Sequence, residues 1–301
     1  MTGNTEGKMI TDQQFAEIVE TRARRPEVFA ELARGRKRRP EFDDGRGLFL
    51  ITADDAARAN LQIGANPIAL GERKRLLNRL AEVLADPAVD GLVGTPDIVD
   101  DLLLLGALHD KLVIGSMNRS GLAGSSWEID DRFTAYDVAA IVGGNLDGGK
   151  LTLRLDWKDA GTNRTMAAAA AAITDLGRAG TVGLLEPLPV IQEGGRPRVA
   201  NDPDYLIRAL SVAAGMGATS AYTWLKVPLV REMESVMAAT SMPVLMVGGD
   251  PGVDDRTAVA RWQEILGLPQ VRGIIAGRSL LFPADGDTAR AVATVAEALG
   301  K

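Results

Sequence analysis

The sequence predicts an α/β protein built as a single closed (β/α)8, or TIM, barrel with an extra amino-terminal helical segment. Three observations carry this: eight short apolar runs spread along the chain, a helical pattern after each of them, and no G-x-G-x-x-G turn after the first. Strands buried on both faces read as continuous apolar runs, and regular alternation with helices makes their sheet parallel. The missing glycine turn weakens the main competing architecture, an open doubly wound sheet. The 301 residues suffice for one large core, and 33 Gly with only 4% aromatics suit many tight strand–helix corners.

The elements follow in order. Residues 1–46 form the extension, helical from about 11 to 34, and 47–301 form the barrel. The first strand is GLFLITAD (47–54), followed by a helix from near Glu72. The second is VDGLVGT (89–95), with Asp97 as the expected cap of the helix DIVDDLLLLGALH, which carries His109 near its end. KLVIGSM (111–117) is the third, then a Gly/Ser-rich loop and the short helix TAYDVAAIV. GKLTLRLDW (149–157) and TVGLLEPLPV (181–190) are the fourth and fifth, with helices TMAAAAAAITDLGRA and DPDYLIRALSVAAGMG. SAYTWLKVP (220–228), MPVLMVGGD (242–250) and VRGIIAGRSLLF (271–282) complete the eight; helices near 230–239 and 254–266 separate them and TARAVATVAEALG closes the chain.

Composition narrows the chemistry. There is no Cys and a single His, so thiolate chemistry, disulfides, a His-based triad and a multi-histidine metal centre are excluded. The acidic spots lack the spacing of a calcium loop, and no metal or cofactor is expected. A net charge of -6 argues against nucleic acid as a partner. The basic run ELARGRKRRP (31–40) reads as a solvated helix end. No leader pattern and no run of about 18 apolar residues is present, which points to a cytoplasmic protein without a membrane partner.

Barrel chemistry gathers at the carboxyl ends of the strands, so the charged residues there are the candidates. Lys226 stands in the apolar run YTWLKVPLV; burial and nearby cations would lower its pKa and free the amine to attack a carbonyl, while pairing with a carboxylate is the plainer alternative. Glu186, alone among apolar residues in LLEPLPV, suits proton transfer or a structural salt bridge. Asp54 can orient a substrate hydroxyl or cap a helix. Lys150 and Arg154 share one side of the fourth strand, and either can depress the Lys226 pKa or hold an anion. Gly248 and Gly249 after the seventh strand, with Gly277 and Arg278 after the eighth, form a pattern suited to phosphate: exposed N–H groups plus a guanidinium fork.

The segments KLTLRLDW, LLEPLP, TWLKVP, VLMVGGD and GIIAGRS, in this order between Leu48 and Phe282, resemble the class I (Schiff-base) aldolase superfamily, including tagatose-bisphosphate aldolase and the archaeal-type fructose-bisphosphate aldolases. The resemblance implies a metal-independent aldolase with Lys226 as Schiff-base lysine, Glu186 as acid/base, Lys150 as an additional active-site lysine and Asp54 as the strand-one aspartate. It further implies that Gly248, Gly249, Gly277 and Arg278 grip phosphate, and that the chain forms a homo-oligomer. Two departures stand out: Asp54-Asp55-Ala56 replaces the archaeal-type Asp-His-Gly, and Glu186 replaces a strand-five tyrosine. The loop NRSGLAGSSWEIDDR (118–132) resembles that of actinobacterial barrels tied to inositol breakdown, which makes 2-deoxy-5-keto-gluconate 6-phosphate a candidate substrate. Fructose, tagatose and sulfonated sugar phosphates are alternatives within the class. A phosphosugar isomerase or epimerase, and a noncatalytic sugar-phosphate binder, are the alternatives outside it.

Overall fold

The computed structural model of the chain describes residues 9–119, 121–248 and 255–301. Eight parallel strands close into a barrel: β1 (Leu48–Ala53), β2 (Gly91–Gly94), β3 (Leu112–Ser116), β4 (Gly148–Leu155), β5 (Val182–Glu193), β7 (Thr223–Val227), β8 (Val244–Gly248) and β9 (Val271–Ala276). Their order is β4-β3-β2-β1-β9-β8-β7-β5, and pairing of β4 with β5 over eight residues, from Gly148↔Val182 to Leu155↔Pro189, shuts the ring. The predicted fold class is therefore the observed one.

The remaining strand, β6 (Arg196–Val199), pairs antiparallel with the end of β5 and stands outside the ring. Sequence reading ended the fifth strand at residue 190. In fact β5 runs on to Glu193 and turns back through Gly194 and Gly195, both at positive φ, 58° and 75°. Glycine pairs in such positions are a hairpin signal that the apolar-run criterion passes over.

Five barrel helices begin where a side chain satisfies their first free N–H groups. Glu72 caps α3 (Arg73–Ala85), Asp137 caps α5 (Val138–Gly143), Asp159 caps α6 (Ala160–Arg178), Asp202 caps α7 (Pro203–Ala214) and Asp287 caps α11 (Thr288–Ala298). The expected cap Asp97 is displaced. In α4 (Pro96–Leu104) the cap position belongs to Thr95, Pro96 takes the first turn, and the Thr95 hydroxyl donates to Asp97 at 2.5 Å. That helix stops at Leu104, with Gly106 at φ 68°, so His109 lies beyond it, where its Nδ1 accepts from the Lys37 N–H at 3.2 Å. The last strand is also shorter than expected: Arg278–Leu281 coils into α10. Short apolar runs do not distinguish strand from helix, and here the break comes at Gly277. Helices α8 (Met233–Met237) and α9 (Asp255–Leu266) occupy the remaining positions.

Inside the ring, Leu48, Leu50, Val93, Leu112, Ile114, Leu184, Leu245 and Ile275 form the apolar floor, all at most 1% exposed. Two-residue alternation then carries the same faces of β1, β3, β4 and β5 upward into polar residues. The bottom is closed by the amino-terminal segment, whose Phe42 packs edge-on against Trp224 with ring centroids 5.0 Å apart.

That segment is more firmly built in than its sequence suggests. Its helix breaks at Pro26 into α1 (Asp12–Arg24) and α2 (Val28–Gly35). Beyond it the basic run is only partly solvated: the Arg36 side chain is 2% exposed. Arg36 donates to Lys111 O at 2.7 Å, Asn145 O at 2.6 Å and Asp147 Oδ2 at 2.8 Å. Arg39 pairs with Asp90 at 2.5 Å. Asp90 and Asp147 in turn accept from the backbone N–H of Phe49 and Val113, both at 2.8 Å. These cations thus satisfy carboxylates and carbonyls at the amino ends of the strands, a role that composition cannot reveal. Among the described residues no helix is long and apolar enough to cross a membrane.

Candidate active site

Above the apolar floor, the inward faces of β4, β5 and β7 place Lys150, Thr152, Glu186 and Lys226 together near the carboxyl end of the barrel. Strand register makes this possible: Thr152 lies beside Glu186 and Ser116 beside Lys150. Glu186 divides its carboxylate between the two lysines, with Oε1 2.8 Å from Lys226 Nζ and Oε2 2.6 Å from Lys150 Nζ. Lys150 also donates to the Thr152 hydroxyl at 2.7 Å and reaches Asp54 Oδ2 at 3.3 Å. Asp54, just past the end of β1, accepts from Thr52 and Ser116, each at 2.8 Å. Lys150 is fully buried, Asp54 2% exposed, Lys226 6% and Glu186 7%. The four residues predicted as catalytic therefore form one buried chain, Lys226–Glu186–Lys150–Asp54.

Electrostatics sorts their protons. Burial opposes the Glu186 charge, but Lys150 and Lys226 outweigh it and bring its pKa from 4.5 to about 2. Asp54 is likewise held well below the carboxylate range: burial acts against ionisation, and Lys150, Arg119 and Lys226 overcome it. The lysines differ. For Lys226 burial favours the neutral amine, but Glu186 and Asp54 prevail and hold its pKa above the ordinary value. For Lys150 burial wins over Asp54 and Glu186, and its pKa falls. The expectation of a depressed Lys226 is thus reversed in the free protein, because the attraction of Glu186 and Asp54 outweighs burial. An ammonium at Lys226 must lose a proton before it can attack, and the group in direct contact with it is Glu186, at 2.8 Å.

The other predicted residues are placed differently. Arg154 is turned away from the lysines and grips Asp131 through Nε at 2.7 Å and Nη2 at 2.6 Å, the bidentate geometry of a saturated ion pair. Arg278, the first residue of α10, faces the mouth with its side chain 37% exposed; it donates to Asn60 Oδ1 at 3.0 Å and lies 3.5 Å from Asp55 Oδ2. Gly277 precedes it, and a Cβ there would stand 3.0 Å from Thr52 Cγ2. Gly248 ends β8, where a Cβ would meet Ile274 Cγ2 at 2.5 Å, so packing already requires glycine at that position. Gly249 lies outside the described residues. Among the described residues no group of three or more His, Asp or Glu is arranged to hold a metal ion.

Sequence reading passed over the third strand's contribution. Ser116 and Asn118 continue the inward face of Leu112 and Ile114. Asn118 ties β3 to β4, donating to Thr152 O at 2.6 Å and accepting from Thr152 N–H at 2.7 Å. Beside it Arg119, 6% exposed, donates to Asp54 O at 2.9 Å. The signal was present in SMNRS: polar residues where the alternation of KLVIGS points inward past the strand end.

The fold is one of known kind. The Cgl0159-like family model matches residues 46–296. The crystal structure of Cgl0159 from Corynebacterium glutamicum superposes with a TM-score of 0.93 at 42% identity, covering 97% of this chain and 98% of that one. An archaeal fructose-1,6-bisphosphate aldolase, solved with its catalytic Lys covalently bound to the carbinolamine intermediate, is similar at a TM-score of 0.62 and 15% identity, over 91% of this chain and 100% of that one. The fructose-bisphosphate aldolase of Slackia heliotrinireducens gives 0.60 and 16%, over 98% and 96%. At such identities the two aldolases share the fold. Among curated protein sequences none matches. Full-length agreement with the first model and structure settles the relationship: the chain belongs to the Cgl0159-like family.

Proposed function

We propose that the protein is a metal-independent class I aldolase acting on a phosphorylated keto sugar through a Schiff base at Lys226. The observation that carries this reading is the buried Lys226 in contact with a carboxylate at 2.8 Å, itself shared with a second lysine at 2.6 Å. The lowered pKa of Lys150 fits it for a place in the same exchange. Similarity of fold to the archaeal aldolase, whose catalytic Lys forms a carbinolamine, supports the assignment.

In the reaction, Glu186 takes a proton from Lys226, and the neutral amine adds to the substrate ketone. Proton transfer through Glu186 converts the carbinolamine hydroxyl to water, which leaves an iminium carbon. Retro-aldol cleavage then moves the electrons of the C–C bond next to the iminium carbon into that iminium, while Asp54 orients the hydroxyl that becomes the aldehyde and Glu186, a carboxylate again, takes its proton. Protonation of the enamine and hydrolysis release the ketone half and restore Lys226. The substrate phosphate rests on Gly277 and Arg278, with Gly248 at the neighbouring strand end. The substrate we favour is 2-deoxy-5-keto-gluconate 6-phosphate, which would give dihydroxyacetone phosphate and malonate semialdehyde.

Borohydride added with dihydroxyacetone phosphate should produce a stable adduct whose peptide mass maps to Lys226, and Lys226→Met should abolish it. An active enzyme that traps no adduct, or that returns a product of unchanged mass, would remove the aldolase reading and favour an isomerase.

A further inference from the structure

Arg58 and Arg154 meet the 118–132 loop beside its own Arg119, and their counter-charges are unevenly distributed. Arg154 takes Asp131 in two short contacts. Arg58 donates to Gly121 O at 2.9 Å, and the carboxylate it meets, Glu128, is 3.6 Å away and shared with Arg154 at the same distance. Arg119 lies 3.5 Å from Asp54 Oδ2 and 3.9 Å from Asp55 Oδ1, and its Nη1 is 3.5 Å from the Thr152 hydroxyl. Asp54 in turn is bound up with Ser116 and Lys150. Burial, followed by repulsion from Arg154 and Arg119, brings the Arg58 pKa down to about 10. Of the three guanidiniums, Arg154 alone has a carboxylate in short bidentate contact, while the carboxylates nearest Arg58 and Arg119 stand 3.5–3.9 Å away.

The loosely met guanidinium of Arg119 stands next to the reacting groups. Arg119 touches Asp54 and Thr152, which both contact Lys150, so its guanidinium adjoins the reacting lysines from the β3 side. Arg278 adjoins Asp55 from the β9 side, 3.5 Å from Oδ2, while Arg119 approaches the other oxygen. Two cationic arms thus stand on either side of Asp55.

We infer that Arg119, backed by Arg58, is a second anion subsite that holds a carboxylate or phosphate at the end of the sugar remote from the group on Gly277 and Arg278. The protein then selects keto sugars charged at both ends, and the 118–132 loop is the element that sets this choice. The inference rests on the aldolase reading for the orientation of the substrate: the ketone half lies toward Arg278 and the departing aldehyde half toward Arg119. A bidentate guanidinium contact with an anion in a desolvated mouth is both strong and geometrically demanding, which is what end-group selection needs.

The test is calorimetric binding of fructose 1-phosphate, fructose 1,6-bisphosphate and 2-deoxy-5-keto-gluconate 6-phosphate, with dihydroxyacetone phosphate as the truncated reference for the last. Wild-type protein should bind a doubly charged ligand at least about tenfold more tightly than its singly charged counterpart. Arg119→Met should bring that ratio close to one, Arg58→Met should reduce it, and Arg119→Lys should restore part of it. Loss of preference for the bisphosphate alone identifies the distal group as phosphate; loss for the gluconate alone identifies it as carboxylate. Arg278→Ala should weaken all the ligands by similar factors and spare the ratio. A wild-type ratio near one, or a ratio kept in Arg119→Met and Arg58→Met proteins of wild-type thermal stability, overturns the subsite. Borohydride trapping on the wild-type protein reports separately on the aldolase reading, since calorimetry registers binding with or without an adduct.

Discussion

Replacing Glu186 with Gln probes both the chemistry and the physics of the buried chain. The carboxylate is the shared partner of two amines, at 2.6 and 2.8 Å, one of them fully buried. An amide can accept from one lysine but turns donors toward the other, so at least one ammonium loses its partner. Removing one side of a buried ion pair costs about 3–5 kcal/mol. Here the protein has a way to lower the penalty: Lys150, whose pKa is already depressed, can shed its proton. The sign follows by linkage. In E186Q both folded lysine pKa values drop below the unfolded value, the unfolded chain binds more protons between the two, and stability rises with pH in that interval. Urea unfolding should therefore show a loss of about 3–5 kcal/mol near pH 7 that shrinks toward pH 9. The rate of borohydride trapping with dihydroxyacetone phosphate should become appreciable at lower pH than in the wild type, because Lys226 no longer faces Glu186. Carbon–carbon cleavage should fall by about 10²–10⁴-fold with loss of the proton carrier. Equal stability at the two pH values together with an unmoved trapping profile would refute the account of how charge is shared among these residues.

Arg278→Ala should lower kcat/KM for a phosphorylated substrate by about 2–5 kcal/mol if the phosphate is left desolvated, and should leave an unphosphorylated analogue nearly unaffected; steady-state kinetics on the pair decides it. Arg36→Met strips Asp147 of its buried partner, though Arg38 at 2.7 Å and the Val113 N–H remain, so a cost near the lower end of about 3–5 kcal/mol is expected in urea unfolding. A midpoint equal to that of the wild type would show that the extension does not brace the barrel. Acid should unfold the protein as pH falls from 4.5 toward 2, because Glu186 and Asp54 are more acidic folded than unfolded and their contribution is lost as they protonate. The Glu186 share of this is on the order of 3 kcal/mol. Circular dichroism across that interval should find E186Q less steeply acid-sensitive than the wild type.

What the sequence determined by itself was the periodic architecture and the chemistry-bearing strands. Apolar runs alternating with helices specify a parallel closed sheet, and a Lys or Glu inside such a run can point only inward or outward, so Lys150, Glu186 and Lys226 were legible as candidates from two-residue alternation. Three things were decided only by tertiary structure. Lys226 is held as an ammonium because Glu186 and Asp54 converge on it from other strands, and a pKa is set by distances that no local pattern encodes. Arg154 and Arg119 exchange their expected prominence: both are arginines near strand ends, but Asp131, 23 residues before Arg154, closes on that guanidinium, while Arg119 is left facing the lysines through Asp54 and Thr152. The run ELARGRKRRP reads as surface, yet Arg36 is buried, because carboxylates and carbonyls from two distant strand starts meet at one point beneath the barrel. In each case the sequence supplies the charge, and the closure of the ring selects its partner.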